Sequence, residues 1–146
     1  RNVVVTMDHE AVTAGVRAWA KGMYTTEAAV ELLIRGGRAI YSGAPWLTVR
    51  EDGKVALDFD KLYDEAGVWS GGEQRIVRIA MALVDSERPV QLGDDVAGLD
   101  REHVSLVLAA IAHASGSHQH GGFRYDETGK PIGTIKHETL YAWPQN

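Results

Sequence analysis

Apolar residues recur at helical spacing in several segments of the chain, and most of these segments begin at a residue that can cap a helix. Val12, Val16 and Trp19 mark the buried face of a helix that starts after Asp8 and runs to about Lys21. Further helices are predicted from Thr25 or Thr26 to Gly36, over residues 61–67 after Asp60, over residues 70–83, and over residues 101–114 after Asp100.

The helix over residues 101–114 carries the longest apolar run. Residues 104–112 are almost all apolar, and they place Val104, Val107, Leu108 and Ile111 on one helical face. A helix that is apolar on nearly every side is typical of a buried core helix. We therefore expect this helix to be the most buried element of the fold.

Alternation of apolar and polar residues over residues 46–59 indicates a β-hairpin. A two-residue loop at Asp52-Gly53 would mix apolar and charged residues on each face. A three-residue loop over residues 51–53, with Gly53 in the left-handed conformation, pairs Arg50 with Lys54 and separates the two kinds of residue. The pattern therefore predicts the three-residue loop and one apolar face, made of Leu47, Val49, Val55, Leu57 and Phe59.

Two β segments flank the helical part of the chain. Residues 2–7 form a β-branched run that predicts a short strand, and residues 123–143 predict a C-terminal β-meander with a turn at Thr128-Gly129. Residues 115–122, rich in glycine, serine and histidine, predict a flexible linker. The expected fold is a single α+β domain over residues 1–146, in which residues 1–114 form a core of four to five helices with the hairpin 46–59.

Composition restricts the classes of function. The 146-residue chain is 45% hydrophobic and 24% charged, as is typical of a globular domain. It contains no cysteine, which excludes disulfides and thiolate chemistry. It also has no apolar run of the roughly 20 residues that span a bilayer, so we expect a cytoplasmic protein without a membrane segment. The net charge of −5 weighs against nucleic-acid binding, which usually needs a basic surface.

One segment resembles the signature of the ABC ATPases: Ser70, Gly71, Gly72, Glu73 and Gln74, followed by an arginine and an apolar helix. Residues 97–100 resemble that family's aspartate loop, and together the two matches imply nucleotide contacts at Ser70, Gly71, Gly72 and Gln74. However, the chain lacks a G-x-x-x-x-G-K-[ST] phosphate loop, and residues 89–95 lack the buried strand that ends in Asp-Glu. We interpret Ser70 and Glu73 as a capping box, so that Ser70→Ala would cost about 1 kcal/mol.

Three histidines, His113, His118 and His120, lie close together at the end of the last predicted helix and in the linker. Histidine-rich tracts can bind transition metals, and His137 is a candidate fourth ligand. A metal site also needs fixed geometry, whereas exposed histidines in linkers are common. Metal binding is therefore an alternative, and the first interpretation is a protein with no cofactor and no catalytic residue.

Two predicted helices followed by a hairpin, over residues 8–59, also resemble the outline of a winged helix-turn-helix. In that fold the second helix enters the major groove of DNA. The basic residues available for phosphate contacts are Arg35, Arg38, Arg50 and Lys54. Glu27 and Glu31 on the second helix weigh against this DNA-binding alternative.

Three segments, residues 25–37, 70–85 and 89–114, follow one another in an order that resembles the sequences of a group of small uncharacterised proteins from actinobacteria and their phages. The resemblance covers about residues 22–114 and implies no activity, because the group has no known function. We therefore predict a non-enzymatic interaction or regulatory module, which binds a protein partner or itself. Exposed aromatic residues, such as Trp46, Tyr141 and Trp143, are the expected contact surface.

Overall fold

The computed structural model describes residues 7–145, and the strand predicted over residues 2–7 lies outside this range except for Met7, which is not in a strand. Helices, including two short 3₁₀ segments, account for 52% of the described residues and strands for 12%, so the predicted α+β class is confirmed. The helices are α1 (His9–Ala20), α2 (Tyr24–Gly36), α3 (Phe59–Glu65), α4 (Gly71–Val84), α5 (Leu92–Ala97) and α6 (Arg101–Ala114). The strands are β1 (Leu47–Val49), β2 (Val55–Leu57), β3 (Gly121–Tyr125) and β4 (Pro131–Lys136).

Helix α2 occupies the centre of the fold and packs against both α4 and α6. The expectation that α6 is the most buried element is therefore wrong. Only one side of α6 faces the other helices, so Leu108 and Ile111 remain 43% and 49% exposed. In an almost continuous apolar run, periodicity does not single out the face that packing selects. The residues of α6 that are buried are Leu106, Val107, Ala109, Ala110 and Ala112.

The β1–β2 hairpin has the predicted register, with Leu47 opposite Leu57 and Val49 opposite Val55. The Arg50 amide donates to the Lys54 carbonyl at 2.8 Å, and Gly53 has a φ of 84°. Val55 and Leu57 are buried beneath α1. The predicted apolar face is nevertheless incomplete, because Val49 is exposed and Phe59 belongs to α3.

Two further sequence predictions near this hairpin are wrong. Trp46 is buried, and its indole N–H donates to the Ala39 carbonyl at 2.7 Å, so Trp46 is not part of a contact surface. Asp58, rather than Asp60, caps α3 by accepting a hydrogen bond from the Lys61 amide at 3.1 Å.

The chain beyond α6 forms a short 3₁₀ turn over Ser117–Gln119 and then an antiparallel hairpin of β3 and β4. We call residues 121–136 the ribbon and residues 137–145 the tail. Ser117, within the predicted flexible linker, is in fact buried, and its hydroxyl lies 2.9 Å from the Thr139 hydroxyl and accepts from the Leu140 amide at 3.1 Å. The start of the tail therefore holds this segment in place. Within residues 7–145, each helix is too short or too polar to cross a bilayer.

Candidate functional site

The ribbon projects its residues into solvent on both faces. Every residue of β3 and β4 is exposed, including the large apolar side chains of Phe123, Tyr125, Ile132 and Ile135. Two-stranded ribbons are at best marginally stable in water when nothing covers them. Exposed apolar residues that are grouped together usually mark an interaction site. The ribbon is therefore the candidate interaction surface.

Strand β3 presents an edge that can receive another strand. Within the part of the chain that the structure describes, β3 pairs only with β4, which leaves its other edge without a strand. Its sequence, Gly121 to Tyr125, contains no proline, so each residue has a backbone N–H. Phe123 and Tyr125 lie two residues apart in β3, a spacing that places side chains on one face of a regular strand. The pairing of β3 with β4 skips Ile132, so the irregularity between Arg124 and Tyr125 places the extra residue on β4. β4 is less suitable as an edge because it begins at Pro131.

Two of the aromatic residues predicted for the contact surface, Tyr141 and Trp143, lie in the tail. Tyr141 is exposed, and its hydroxyl lies 3.3 Å from the Ser105 hydroxyl on α6. Trp143 is partly buried, because it packs on the helices beside His113 and the guanidinium of Arg35. The two aromatic residues therefore attach the tail to the helical core instead of extending the ribbon surface.

Helix α2 lacks the free face that a DNA-recognition helix needs. Only Tyr24, Thr25 and Arg35 of this helix are exposed. Its two glutamates are engaged: Glu27 accepts a hydrogen bond from His113 at 2.7 Å, and Glu31 accepts hydrogen bonds from two arginines. A recognition helix must present exposed side chains to the base edges in the major groove. This arrangement weighs against the DNA-binding alternative.

The four candidate phosphate contacts are divided between different environments. Arg35 pairs with Glu31 at 2.6 Å and donates to the Pro144 carbonyl at 2.8 Å. Arg38 lies 3.4 Å from Glu73 and stacks over the ring of Trp69. Arg50 and Lys54 are exposed at the turn of the β1–β2 hairpin, where their main chains pair. Two of the four cations are thus already neutralised by carboxylates.

The residues that resemble an ABC signature have structural roles. Ser70 precedes α4, but among the described residues its side chain caps no backbone amide; instead its hydroxyl donates to Glu73 Oε1 at 2.7 Å. The predicted capping box is therefore wrong in its bonding. Gly71 and Gly72 form the first turn of α4, and Gln74 donates to the Gly67 carbonyl at 3.0 Å.

The segment that would carry the acidic strand of an ABC ATPase is instead helix α5. Its Asp95 is buried and accepts two hydrogen bonds from Arg78 of α4, at 2.6 and 3.0 Å. The carboxylate that could have bound Mg²⁺ therefore joins two helices. This geometry gives no support to a nucleotide site.

The structure brings two of the three candidate histidines together. The rings of His113 and His118 stack in parallel, with centroids 4.1 Å apart, and the third member of the cluster is Glu27 rather than His120. Ligand atoms of Glu27, His113 and His118 all lie within 4.8 Å of one another. His120 is exposed, and it pairs with His137 only through main-chain atoms at the base of the ribbon.

The local chain explains why His118 returns to His113. Gly116 follows α6 with a φ of 80°, a conformation that reverses the chain and that other residues rarely adopt. Tyr24 of α2 then packs edge-on against the His118 ring, with centroids 4.7 Å apart. His118 Nδ1 is buried and has no hydrogen-bond partner among residues 7–145. We call Glu27, His113 and His118 the histidine cluster.

Burial and charge act on the pKa values in the histidine cluster. Burial lowers the pKa of His118, and the neighbouring His113 lowers it further. Burial by itself raises the pKa of Glu27, but hydrogen bonds from the Gly22 amide and from His113 outweigh this effect and hold the Glu27 pKa below its ordinary value. Both shifts therefore favour the carboxylate form of Glu27 and the neutral form of His118.

A cleft of about 530 Å³ opens next to the histidine cluster, between α1, α2 and the tail. Its walls include Glu27, His113 and Trp143, as well as the ion pairs of Glu31 with Arg17 and Arg35. Charges of both signs line the cleft, so it favours neither an anion nor a purely apolar ligand.

Sequence reasoning missed Glu27 as a partner of the histidines. Its separation from His113 is 86 residues, and no local spacing links the two positions.

Comparisons of the chain with models of protein families, with curated proteins and with solved structures found no match. The function therefore has to be argued from the geometry.

Proposed function

We propose that this protein is a non-enzymatic interaction module that associates with itself through the ribbon. The observation that carries the proposal is the unpaired edge of β3, along which Phe123 and Tyr125 are both exposed. Pairing with a second strand satisfies the free backbone groups of an edge and covers apolar side chains that otherwise contact water.

The sequence of β3 is complementary to itself in an antiparallel pair. A two-fold axis through Phe123 places Phe123 opposite its own copy and Tyr125 opposite Gly121 of the second copy. A glycine leaves space for an aromatic ring from the neighbouring strand. Arg124 then faces Gly122 of the second copy, so the two arginines are not apposed.

This pairing would join two ribbons into a four-stranded sheet. The two Phe123 rings and the two Tyr125 rings would form one row on the same face, because diagonal neighbours in a sheet are within reach of aromatic side chains. Contact through a single strand covers little surface, so we expect a weak dimer whose population rises with protein concentration.

Cysteine crosslinking tests the proposed register, since the sequence has no cysteine of its own. In a pair centred on residue 123, the two copies of Phe123→Cys have Cα atoms about 4.5–5.5 Å apart, which suits a disulfide. The two copies of Tyr125→Cys would be about 14 Å apart along the strands, beyond the reach of a disulfide. We expect a crosslinked dimer from Phe123→Cys under mild oxidation and little from Tyr125→Cys.

Sedimentation velocity over a concentration series tests association without a crosslink. We expect the unmodified chain to dimerise and Phe123→Asp to remain monomeric. Leu92→Asp, the same kind of change at another exposed apolar residue, should dimerise normally. A monomer at every concentration, or equal association of Phe123→Asp and the unmodified chain, would contradict the proposal. Equal crosslinking at positions 123 and 125 would overturn the register.

A further inference from the structure

The histidine cluster has the composition of a binding site for a transition metal. Two imidazoles and one carboxylate form a ligand set used by zinc and by other first-row divalent ions. Mg²⁺ and Ca²⁺ prefer oxygen ligands, which are in the minority in this cluster. We propose that Glu27, His113 and His118 bind one divalent transition-metal ion of the zinc class.

The ligand atoms are close enough for such a site, and the stacked rings of His113 and His118 would tilt apart to aim one nitrogen each at the ion. A tetrahedral ion with bonds of about 2.0–2.1 Å holds its ligand atoms about 3.3 Å apart. The candidate atoms lie within 4.8 Å of one another, and the Glu27–His113 pair is already at 2.7 Å. An ion between these two groups would replace their hydrogen bond by two metal bonds.

An independent observation supports a ligand at this position. A buried polar atom without a hydrogen-bond partner is uncommon and costs free energy. His118 Nδ1 is such an atom among the described residues, and it belongs to a ring held between His113 and Tyr24. A metal bond made by this nitrogen would relieve that cost.

The proposed ion would connect three parts of the chain. Glu27 lies on α2, His113 lies in the last turn of α6, and His118 lies in the 3₁₀ turn that leads into the ribbon. All three ligands belong to one chain, so the metal would fix the base of the ribbon without requiring a second copy. The proposed site is therefore independent of self-association.

Titration of the full chain with Zn²⁺, in competition with a chromogenic chelator, tests this site. We expect one equivalent to bind and the thermal unfolding midpoint to rise, because the ion binds the native state. Glu27→Gln keeps an acceptor for the Gly22 amide, and His118→Phe keeps a flat ring against Tyr24. Each should lower Zn²⁺ affinity by more than about 100-fold, since even partners outside the ligand shell contribute 10–100-fold.

Two control variants separate this site from its alternatives. His120→Ala removes an exposed histidine close to the cluster, and Phe123→Asp disrupts the proposed dimer; both should keep the affinity of the unmodified chain for Zn²⁺. Ca²⁺ should not raise the unfolding midpoint. The absence of Zn²⁺ binding, unchanged binding by His118→Phe and Glu27→Gln, or loss of binding in His120→Ala would each overturn the proposal.

Discussion

Asp8 and Ser70 both stand immediately before a helix, but they serve it differently. The Asp8 carboxylate accepts a hydrogen bond from the Ala11 amide at 2.8 Å, which satisfies a backbone donor in the first turn of α1. The Ser70 hydroxyl donates to the Glu73 side chain instead. Two residues that stand in the same position relative to a helix therefore contribute differently to its stability.

At the residue scale, we predict that Asp8→Ala lowers the free energy of unfolding by about 1 kcal/mol. Ser70→Ala removes only an exposed contact between two side chains, so it should change the free energy by less than about 0.5 kcal/mol. Urea denaturation of the two variants and the unmodified chain makes the comparison. A loss from Ser70→Ala as large as that from Asp8→Ala would show that Ser70 caps α4 after all.

Gly15 sets the distance between helix α1 and the β1–β2 hairpin. A methyl group built on Gly15 would lie 2.6 Å from Val55 Cγ2 and 3.0 Å from the Gly53 carbonyl oxygen. Both distances are shorter than van der Waals contact, so α1 and the hairpin can pack this closely only when residue 15 has no side chain.

At the element scale, we predict that Gly15→Ala destabilises the fold by about 1–3 kcal/mol, because overpacking outweighs alanine's higher helix propensity. Gly72→Ala is the matched control: it also lies in a helix, but among residues 7–145 no atom beyond its chain neighbours and its own helix backbone is within 4 Å of the added methyl group. That variant should gain about 0.4–1 kcal/mol. Chemical denaturation gives both values, and a stabilising Gly15→Ala would show that the hairpin moves away without cost.

A second pair of variants locates the clash at Gly15. Val55→Ala removes the nearer contact atom, so adding Gly15→Ala to it should cost less than adding Gly15→Ala to the unmodified chain. The Gly53 carbonyl remains close in both backgrounds, and for this reason we expect partial rather than full relief.

Elements with local signals could be predicted from the sequence, whereas those chosen by packing could not. Asp8 and Asp100 identify the starts of α1 and α6, and the apolar alternation around Gly53 fixes the register of the β1–β2 hairpin. Helix α5 has six residues, two of them aspartates, and has too few positions to show a period. Its Asp95 is stabilised by Arg78, a contact that depends on tertiary structure.

The same distinction applies to the candidate sites. Sequence proximity indicated that His113 and His118 could meet, and the chain reversal at Gly116 brings them into contact. Glu27 joins them only because α2 packs beside α6. The aromatic pattern predicted an interaction surface, but Trp46 is taken into the core, while Phe123 and Tyr125 remain on the ribbon.

Glu31 links three parts of the chain, α1 directly and the tail through Arg35 of its own helix. Its carboxylate accepts hydrogen bonds from Arg17 of α1, at 2.8 and 3.0 Å, and from Arg35 of its own helix at 2.6 Å. Arg35 also contacts the tail: its guanidinium donates to the Pro144 carbonyl and lies over the Trp143 ring. The charge on Glu31 therefore affects how α1, α2 and the tail are held together.

The pKa of Glu31 makes the stability of the whole molecule depend on pH. Burial raises this pKa, but the hydrogen bonds and charges of Arg17 and Arg35 outweigh burial and leave it below the ordinary value. A carboxyl group whose folded-state pKa is depressed stabilises the fold above its unfolded-state pKa, and this contribution is lost as the pH falls through the folded-state pKa. The paired Glu31 should therefore stabilise the protein at neutral pH and lose that effect in acid.

At the scale of the whole molecule, we predict that Glu31→Gln lowers the free energy of unfolding by about 1.5–3 kcal/mol at neutral pH, the usual contribution of hydrogen bonds to a charged group. The difference from the unmodified chain should shrink as the pH falls below about 4. Other carboxylates titrate in both proteins, so only the difference reports Glu31. Glu51→Gln, at the exposed hairpin turn, should change the free energy of unfolding little. A difference for Glu31→Gln that stays constant from neutral to acid would mean that its carboxylate charge does not stabilise the junction of α1, α2 and the tail.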